Sequence, residues 1–302
     1  MRSPAKLTAY ALLGVASAAW AGNIVLGRAV RAEIPPLGMA LWRWALALTV
    51  ASPFLVPALV RNWAVVRREW RLIGILAVFG MVLFHSLLYV AVHTTTAINA
   101  TLILAISPIL IPPTARVILG QRQTRGELLG ALVSTLGVVV IVARGEWSVL
   151  RELAFTRGDV MMLGATAAWS LYSVILKRKP RELDSGALLG ACMAVAVLCL
   201  FPLYLWETSF IQVMPLTVSS VLVLTYLALG ASLLAYYCYN RGVAELGPVH
   251  AGLSINLIPV FTTAFALVFL SEQLHGFHIA GILAIAVGSW LATSVAREPR
   301  PA

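Results

Sequence analysis

Two polar and aromatic stripes stand out in a chain otherwise built from aliphatic residues. Ser17, Trp20 and Asn23 follow one another at steps of three, and Thr166, Trp169 and Tyr172 repeat that spacing in the second half. On a helix these steps share one face, so each trio forms a stripe. Further polar groups inside apolar runs are His85 and Tyr89, four residues apart, then Asn99, then Tyr236, Tyr239 and Asn240, and finally Ser254 and Asn256. Indoles and phenols stack on flat cargo or receive a cation, and Asn and Ser bond a carboxylate or amide. This is chemistry for holding a small amphipathic molecule. The candidate substrate-binding residues are therefore Trp20, Asn23, His85, Tyr89, Asn99, Trp169, Tyr172, Tyr236, Tyr239 and Ser254.

Bond-breaking chemistry lacks its reagents. The twelve acids are Glu33, Glu69, Glu127, Glu146, Glu152, Asp159, Glu182, Asp184, Glu207, Glu245, Glu272 and Glu298, and all fall in loops or at the ends of apolar runs. No clustered carboxylates or metal-binding His/Glu pattern marks an integral-membrane enzyme, so no catalytic residue is assigned. Cys192, Cys199 and Cys238 lie within apolar runs without metal or redox spacing, and His275 and His278 lack a third ligand, so neither a metal nor a cofactor is expected. His85 is the one mid-run group that titrates near neutrality, which favours a uniporter or exchanger over proton coupling.

The elements that must position these residues follow from composition. The chain has 302 residues, 60% hydrophobic and 11% charged, with a mean hydropathy of +0.90. A water-soluble domain could not cover its surface with so few polar residues. The net charge of +10 has no solvated face on which to meet nucleic acid, so no such partner is expected. A bilayer-crossing helix needs ~20 apolar residues. Ten such runs are read, near Thr8–Gly27, Pro36–Val60, Leu72–His93, Ala97–Leu119, Gly126–Ala143, Gly158–Leu176, Ser185–Trp206, Val218–Asn240, His250–Leu270 and Gly276–Val295. Arg2, Lys6 and Ala19-Trp20-Ala21 imitate a cleavable signal. The first run continues to Gly27, however, and has a sequence partner in the sixth, so it is retained as a helix.

Basic residues orient the bundle, because an excess in short loops marks the cytoplasm. They gather around Arg61–Arg71, Arg116–Arg125 and Lys177–Arg181, whereas the opposite loops hold Arg28, Arg31, Arg144, Arg151 and Arg157. Both termini are thus expected in the cytoplasm. The segment Trp20–Arg28 aligns with Trp169–Lys177, Ser107-Pro108 falls opposite Ile258-Pro259, and Gly130 and Gly137 fall opposite Gly281 and Gly288. The expectation is an all-α membrane protein of two inverted five-helix repeats, 1–143 and 158–302, joined outside by a linker, 144–157. Such repeats place the cargo site at their interface near the midplane. Two rims are expected around one cavity: Trp20, Asn23, His85, Tyr89 and Asn99 on the outer side, and Trp169, Tyr172, Tyr236, Tyr239 and Ser254 on the inner. Pro108 and Pro259 are the hinge or kink candidates, each freeing a carbonyl, at Leu104 and Ile255. Arg43 is placed too near the outer end of its run to take part. The small-residue steps Gly126/Gly130 and Ala284/Gly288 suit packing within the bundle, or a contact between copies, leaving monomer or homodimer open.

These residues carry a resemblance. Trp20-x-x-Asn23, Arg43 early in the second run, Ser107-Pro108, Pro259 and Glu272-Gln273-Leu274 together resemble the drug/metabolite transporter superfamily, in its bacterial branch with two EamA-type domains, and most of all the YddG-type exporters. Gln121-Arg122 departs from the pattern, standing where the first half usually carries a Glu. The resemblance implies a multi-pass protein of the bacterial cytoplasmic membrane that meets lipid and a small-molecule substrate. It would export amino acids, aromatic ones included, and toxic analogues by alternating access. Proton-coupled multidrug or other metabolite export is the alternative, with an integral-membrane enzyme behind it.

Overall fold

The computed structural model describes residues 4–95, 97–151, 156–269 and 274–294. Without water to satisfy backbone groups, a lipid-embedded chain must close its hydrogen bonds within each segment. The described residues accordingly form helices and no strand. The helices are α1 (Pro4–Ala29), α2 (Pro36–Arg61), α3 (Trp63–Arg68), α4 (Trp70–Thr94), α5 (Ala97–Leu104), α6 (Ser107–Leu119), α7 (Arg125–Val142), α8 (Trp147–Arg151), α9 (Arg157–Arg178), α10 (Ser185–Phe210), α11 (Val218–Leu246), α12 (Pro248–Leu253), α13 (Ile258–Phe269) and α14 (Gly276–Ser294). Among the described residues eight helical stretches are long and apolar enough to cross a membrane, and Gly276–Ala292 is a shorter apolar helix. Glu272 and Gln273 lie outside the described residues.

Local chemistry sets where the helices begin. Thr124 and Glu127 form a capping box at the start of α7, and Thr156 and Asp159 form one at the start of α9. Pro36 and Pro248 occupy first-turn positions where a missing N–H costs nothing. Gly120 ends α6 at φ 66°, a left-handed turn that glycine adopts without strain. The outer surface is apolar, with Phe54, Val117, Leu198 and Leu216 exposed, as lipid contact requires.

Inside, α2 packs on α10, α4 on α9, α1 on the latter half of α11, and α7 on α14. The last pair is antiparallel and meets at glycines: a Cβ added to Gly130 would overlap the Gly288 carbonyl oxygen, and one at Gly137 would stand 2.7 Å from that of Gly281. The small-residue steps are thus consumed within the bundle.

Two kinds of irregularity interrupt the long helices. Val78–Leu83 in α4 and Leu227–Leu234 in α11 are π-helical. Between α5 and α6 the chain turns at Ala105–Ile106, and Ser254–Leu257 between α12 and α13 is a tight 3-10 turn. Pro108 and Pro259 thus each follow a break rather than bend a continuous helix. Their freed carbonyls are occupied: Ser107 Oγ donates to Leu104 O at 2.6 Å, and the Ile258 N–H donates to Ile255 O. Neighbouring helices bind the breaks, through Thr135 Oγ1 to Ala105 O at 3.0 Å, Asn256 Nδ2 to Ser134 Oγ at 3.0 Å and Ser17 Oγ to Ser254 O at 2.7 Å.

Candidate functional site

Most of the expected residues converge on one aromatic cluster at the centre of the bundle. Trp20 from α1 meets Trp169 from α9 edge to face, with centroids 5.0 Å apart, and lies 5.9 Å from Tyr236 and 5.3 Å from Tyr239 of α11. Tyr172 lies 5.2 Å from Trp169. His85 is enclosed by Trp44 at 5.2 Å and Phe84 at 4.9 Å, with Tyr236 at 6.1 Å. Such edge-on contacts suit rings whose faces are negative and edges positive.

The π-helical turns serve this cluster. A π-turn breaks the regular i−4 ladder and frees carbonyls for outside donors. Tyr236 OH donates to the Gly80 carbonyl within the α4 π-turn. Trp20 Nε1 donates to the Ala231 carbonyl at 2.9 Å within the α11 π-turn. Gly80 is required there, since a Cβ would overlap the Tyr172 ring. Elsewhere, Tyr172 OH donates to Asn240 Oδ1 at 2.6 Å, Ser173 Oγ and Tyr239 OH share a bond of 2.8 Å, and His85 Nδ1 donates to Met81 O at 3.2 Å.

Arg43, read from the sequence as too near the outer end of its run to take part, joins Asn23 and Tyr89 beside the cluster. It is fully buried and reaches across four helices. Its Nε donates to Ser232 Oγ at 2.8 Å, and its Nη1 donates to Tyr89 OH at 2.6 Å and to Asn23 Oδ1 at 3.3 Å. Tyr89 OH also donates to Asn23 Oδ1 at 3.0 Å. The guanidinium carbon lies 5.0 Å from the Trp44 ring centroid. Arg43 Nη2 has no hydrogen-bond partner among the described residues, and none of their carboxylates forms an ion pair with it.

Two candidates fall elsewhere. Asn99 donates to Asp159 Oδ2 at 3.3 Å, in a group with Thr95 and Thr156 at the start of α9. Its amide faces a carboxylate there instead of the rings. Ser254 donates to Ala251 O at 2.7 Å and its own carbonyl takes Ser17, so it stabilises the break before α13. The open cavity between two rims is also absent among the described residues: the rings fill the space. What remains is about 20 Å³ lined by Trp20, Asn23, Phe84, Leu88, Leu104, Trp169, Ile255 and Ile258, room for about one water.

Both ends are tied. Glu207 of α10 is buried and accepts from the Leu37 and Gly38 amides at 2.9 and 2.6 Å, capping α2. Asp159 holds Thr95, Asn99 and Thr156 on the same side of the bundle. At the other ends of α9, α11 and α6, Lys177 Nζ donates to Ala244 O at 2.7 Å and Arg178 Nη2 to Ile118 O at 2.5 Å, each cation meeting a helix C-terminus. Lys179 follows, bonded to Leu183 O, and burial pulls its ammonium below the usual lysine range.

A helical, lipid-faced bundle enclosing a tied aromatic centre defines a multi-pass membrane protein. The model of the EamA-like transporter family matches residues 7–143 and 156–294; the chain belongs to that family and is a transporter. It is 24% identical over 271 residues to the uncharacterized transporter YyaM of Bacillus subtilis, covering 88% of this chain and 87% of the relative. A riboflavin transporter of Brucella anthropi is 28% identical, covering 72% and 70%. A protein of Streptantibioticus cattleyicolor named a probable terminal-alkyne amino-acid exporter is 25% identical, covering 68% and 67%. One solved crystal structure superposes with a TM-score of 0.76 at 23% identity, over 98% of this chain and 99% of the other, a likeness of fold.

Proposed function

We propose that this transporter is a secondary carrier. It exports small amphipathic metabolites, amino acids including aromatic ones and their toxic analogues, by alternating access as a uniporter or exchanger. In this reading ten spans form two inverted repeats, 1–143 and 158–302, joined by the extracytoplasmic linker 144–157, with both termini on the inner side of the bacterial cytoplasmic membrane. The carrying observation is the meeting of Trp20 and Trp169, which occupy equivalent places in the two halves. Further support comes from irregularities at matching ranks, with π-turns in the third helix of each half and breaks in the fourth. Inverted repeats with interrupted helices place cargo at their interface.

In the closed arrangement no metabolite fits, because small-molecule sites need roughly 300 Å³ or more. Release of either tied end would part the rings and create that space. The name of the Streptantibioticus relative agrees with an amino-acid cargo. A flat neutral heterocycle is the second reading, favoured by the edge-to-face rings and by the name of the Brucella relative. Purified protein in liposomes should give saturable flux of a labelled aromatic amino acid that unlabelled amino acids compete away. If riboflavin competes and amino acids do not, the second reading holds; if no compound moves, the carrier reading fails.

A further inference from the structure

We infer that Arg43 is the anion anchor of the site, so that the cargo carries a carboxylate. The inference rests on the carrier reading and narrows it. A cation inside the membrane is costly unless paired, and arginines there mark a pathway or a partner. Arg43 has neutral partners only: Ser232, Tyr89 and Asn23 accept three of its bonds. Among the described residues no carboxylate reaches it, although two buried carboxylates, Asp159 and Glu207, exist nearer the helix ends and are spent on other donors. The buried guanidinium is held by hydroxyl, amide and ring partners alone.

The geometry leaves room for one more acceptor. Nη2 is buried and unpartnered, and the contact beside it, Nη1 to Asn23, is the longest of the three at 3.3 Å. Nη1 and Nη2 together form the fork that binds a carboxylate through two parallel bonds. A carboxylate entering here takes the free Nη2 donor and exchanges with Asn23 at Nη1, leaving the bonds to Ser232 and Tyr89 intact. Asn23 lines the residual cavity beside Trp20 and Trp169. An aromatic side chain against the indoles therefore leaves its carboxylate one residue away from the guanidinium. Cationic drugs without an acid group meet a like charge at this position.

Intrinsic tryptophan fluorescence, to which Trp20, Trp44 and Trp169 contribute among nine tryptophans, reports on binding independently of flux. This fluorescence in the detergent-purified protein is titrated with four compounds: phenylalanine, 3-phenylpropionate, phenylalanine methyl ester and phenethylamine. The two acids should bind at least about tenfold tighter than the ester and amine, the loss of one charged bond being worth that much. Arg43→Gln should remove this preference, and Arg43→Lys should keep part of it by retaining the charge without the fork. Should Arg43→Gln fail to fold, the wild-type comparison of acid with ester decides. Equal binding of acid and ester, or no binding of either acid, overturns the assignment. In the first case flux in liposomes still stands and the carrier reading survives; loss of flux for every compound removes that reading itself.

Discussion

Trp20 and Trp169 stand edge to face at 5.0 Å with their planes at 89°, and each is buried at the centre of the bundle. Any route through the molecule between α1 and α9 has to part these two rings. Truncating a buried indole costs about 3–5 kcal/mol of stability, so the alanine variant confounds packing with transport. Trp169→Phe keeps an aromatic surface and should preserve expression and gel-filtration profile while lowering flux by about tenfold, the scale of a single lost contact of ~1.4 kcal/mol. Unchanged flux in both Trp20→Phe and Trp169→Phe would place the pathway elsewhere.

Helices α7 and α14 depend on having no side chain at their crossing. Gly130→Ala puts a methyl where the Gly288 carbonyl oxygen already stands. Overpacking of this kind costs about 1–3 kcal/mol. Thermal unfolding in detergent should show a lowered midpoint with the oligomeric state unchanged. A change in oligomeric state at constant midpoint would instead assign the glycines to a contact between copies.

Tyr236 binds the π-turn of α4 through the Gly80 carbonyl. Tyr236→Phe leaves that carbonyl buried without its donor, at a cost of about 1–3 kcal/mol. Hydrogen exchange over residues 78–83 should accelerate in the variant, with the helices flanking it unchanged. Identical exchange would show that the π-turn holds without the phenol.

Asp159 joins the start of α9 to Thr95 at the end of α4 and to Asn99 in the first turn of α5. Asp159→Asn replaces a carboxylate that accepts several bonds by an amide that accepts fewer, which weakens this tie more than it weakens the helix, whose cap alone contributes about 1 kcal/mol. A cysteine placed at Asn23 in the cavity should then be labelled faster by a membrane-impermeant thiol reagent applied from outside. Equal labelling with Asp159 intact and with the Asp159→Asn substitution would exclude this tie as a gate.

Much of this arrangement is readable from residue order alone, for physical reasons. Lipid demands long apolar helices, so their positions follow from hydropathy, and Trp20 and Trp169 announce themselves by spacing within them. Asn99 and Ser254 read as partners of the rings because a polar residue in an apolar run looks the same whether it lines the central cavity, as Asn23 does, or meets another polar group, as Asn99 meets Asp159. Distance from the start of α2 alone puts Arg43 outside the site. Its partners come from α1, α4 and α11, with Ser232 the most remote, and no local pattern encodes that meeting. The available signal is an arginine with apolar neighbours on both sides. The π-turns carry no composition of their own; the carbonyls that Trp20 and Tyr236 use lie within them.

The lack of an acid at the rings leads to a prediction about energy coupling. His85 is the titratable imidazole in the cluster, and it is enclosed by Trp44, Phe84, Tyr89 and Tyr236, with its Nδ1 donating to Met81 O. The charged group near it is Arg43, bonded to Tyr89. Among the described residues no carboxylate joins His85 to either end, so a proton bound there has no relay. Flux in liposomes should therefore be the same with and without a proton-selective ionophore, and an imposed pH gradient should not concentrate cargo. His85→Gln, which keeps a hydrogen-bonding side chain of similar reach, should transport with the same indifference. Accumulation that follows the imposed gradient in the wild type and disappears in His85→Gln would instead establish proton-coupled export through this histidine.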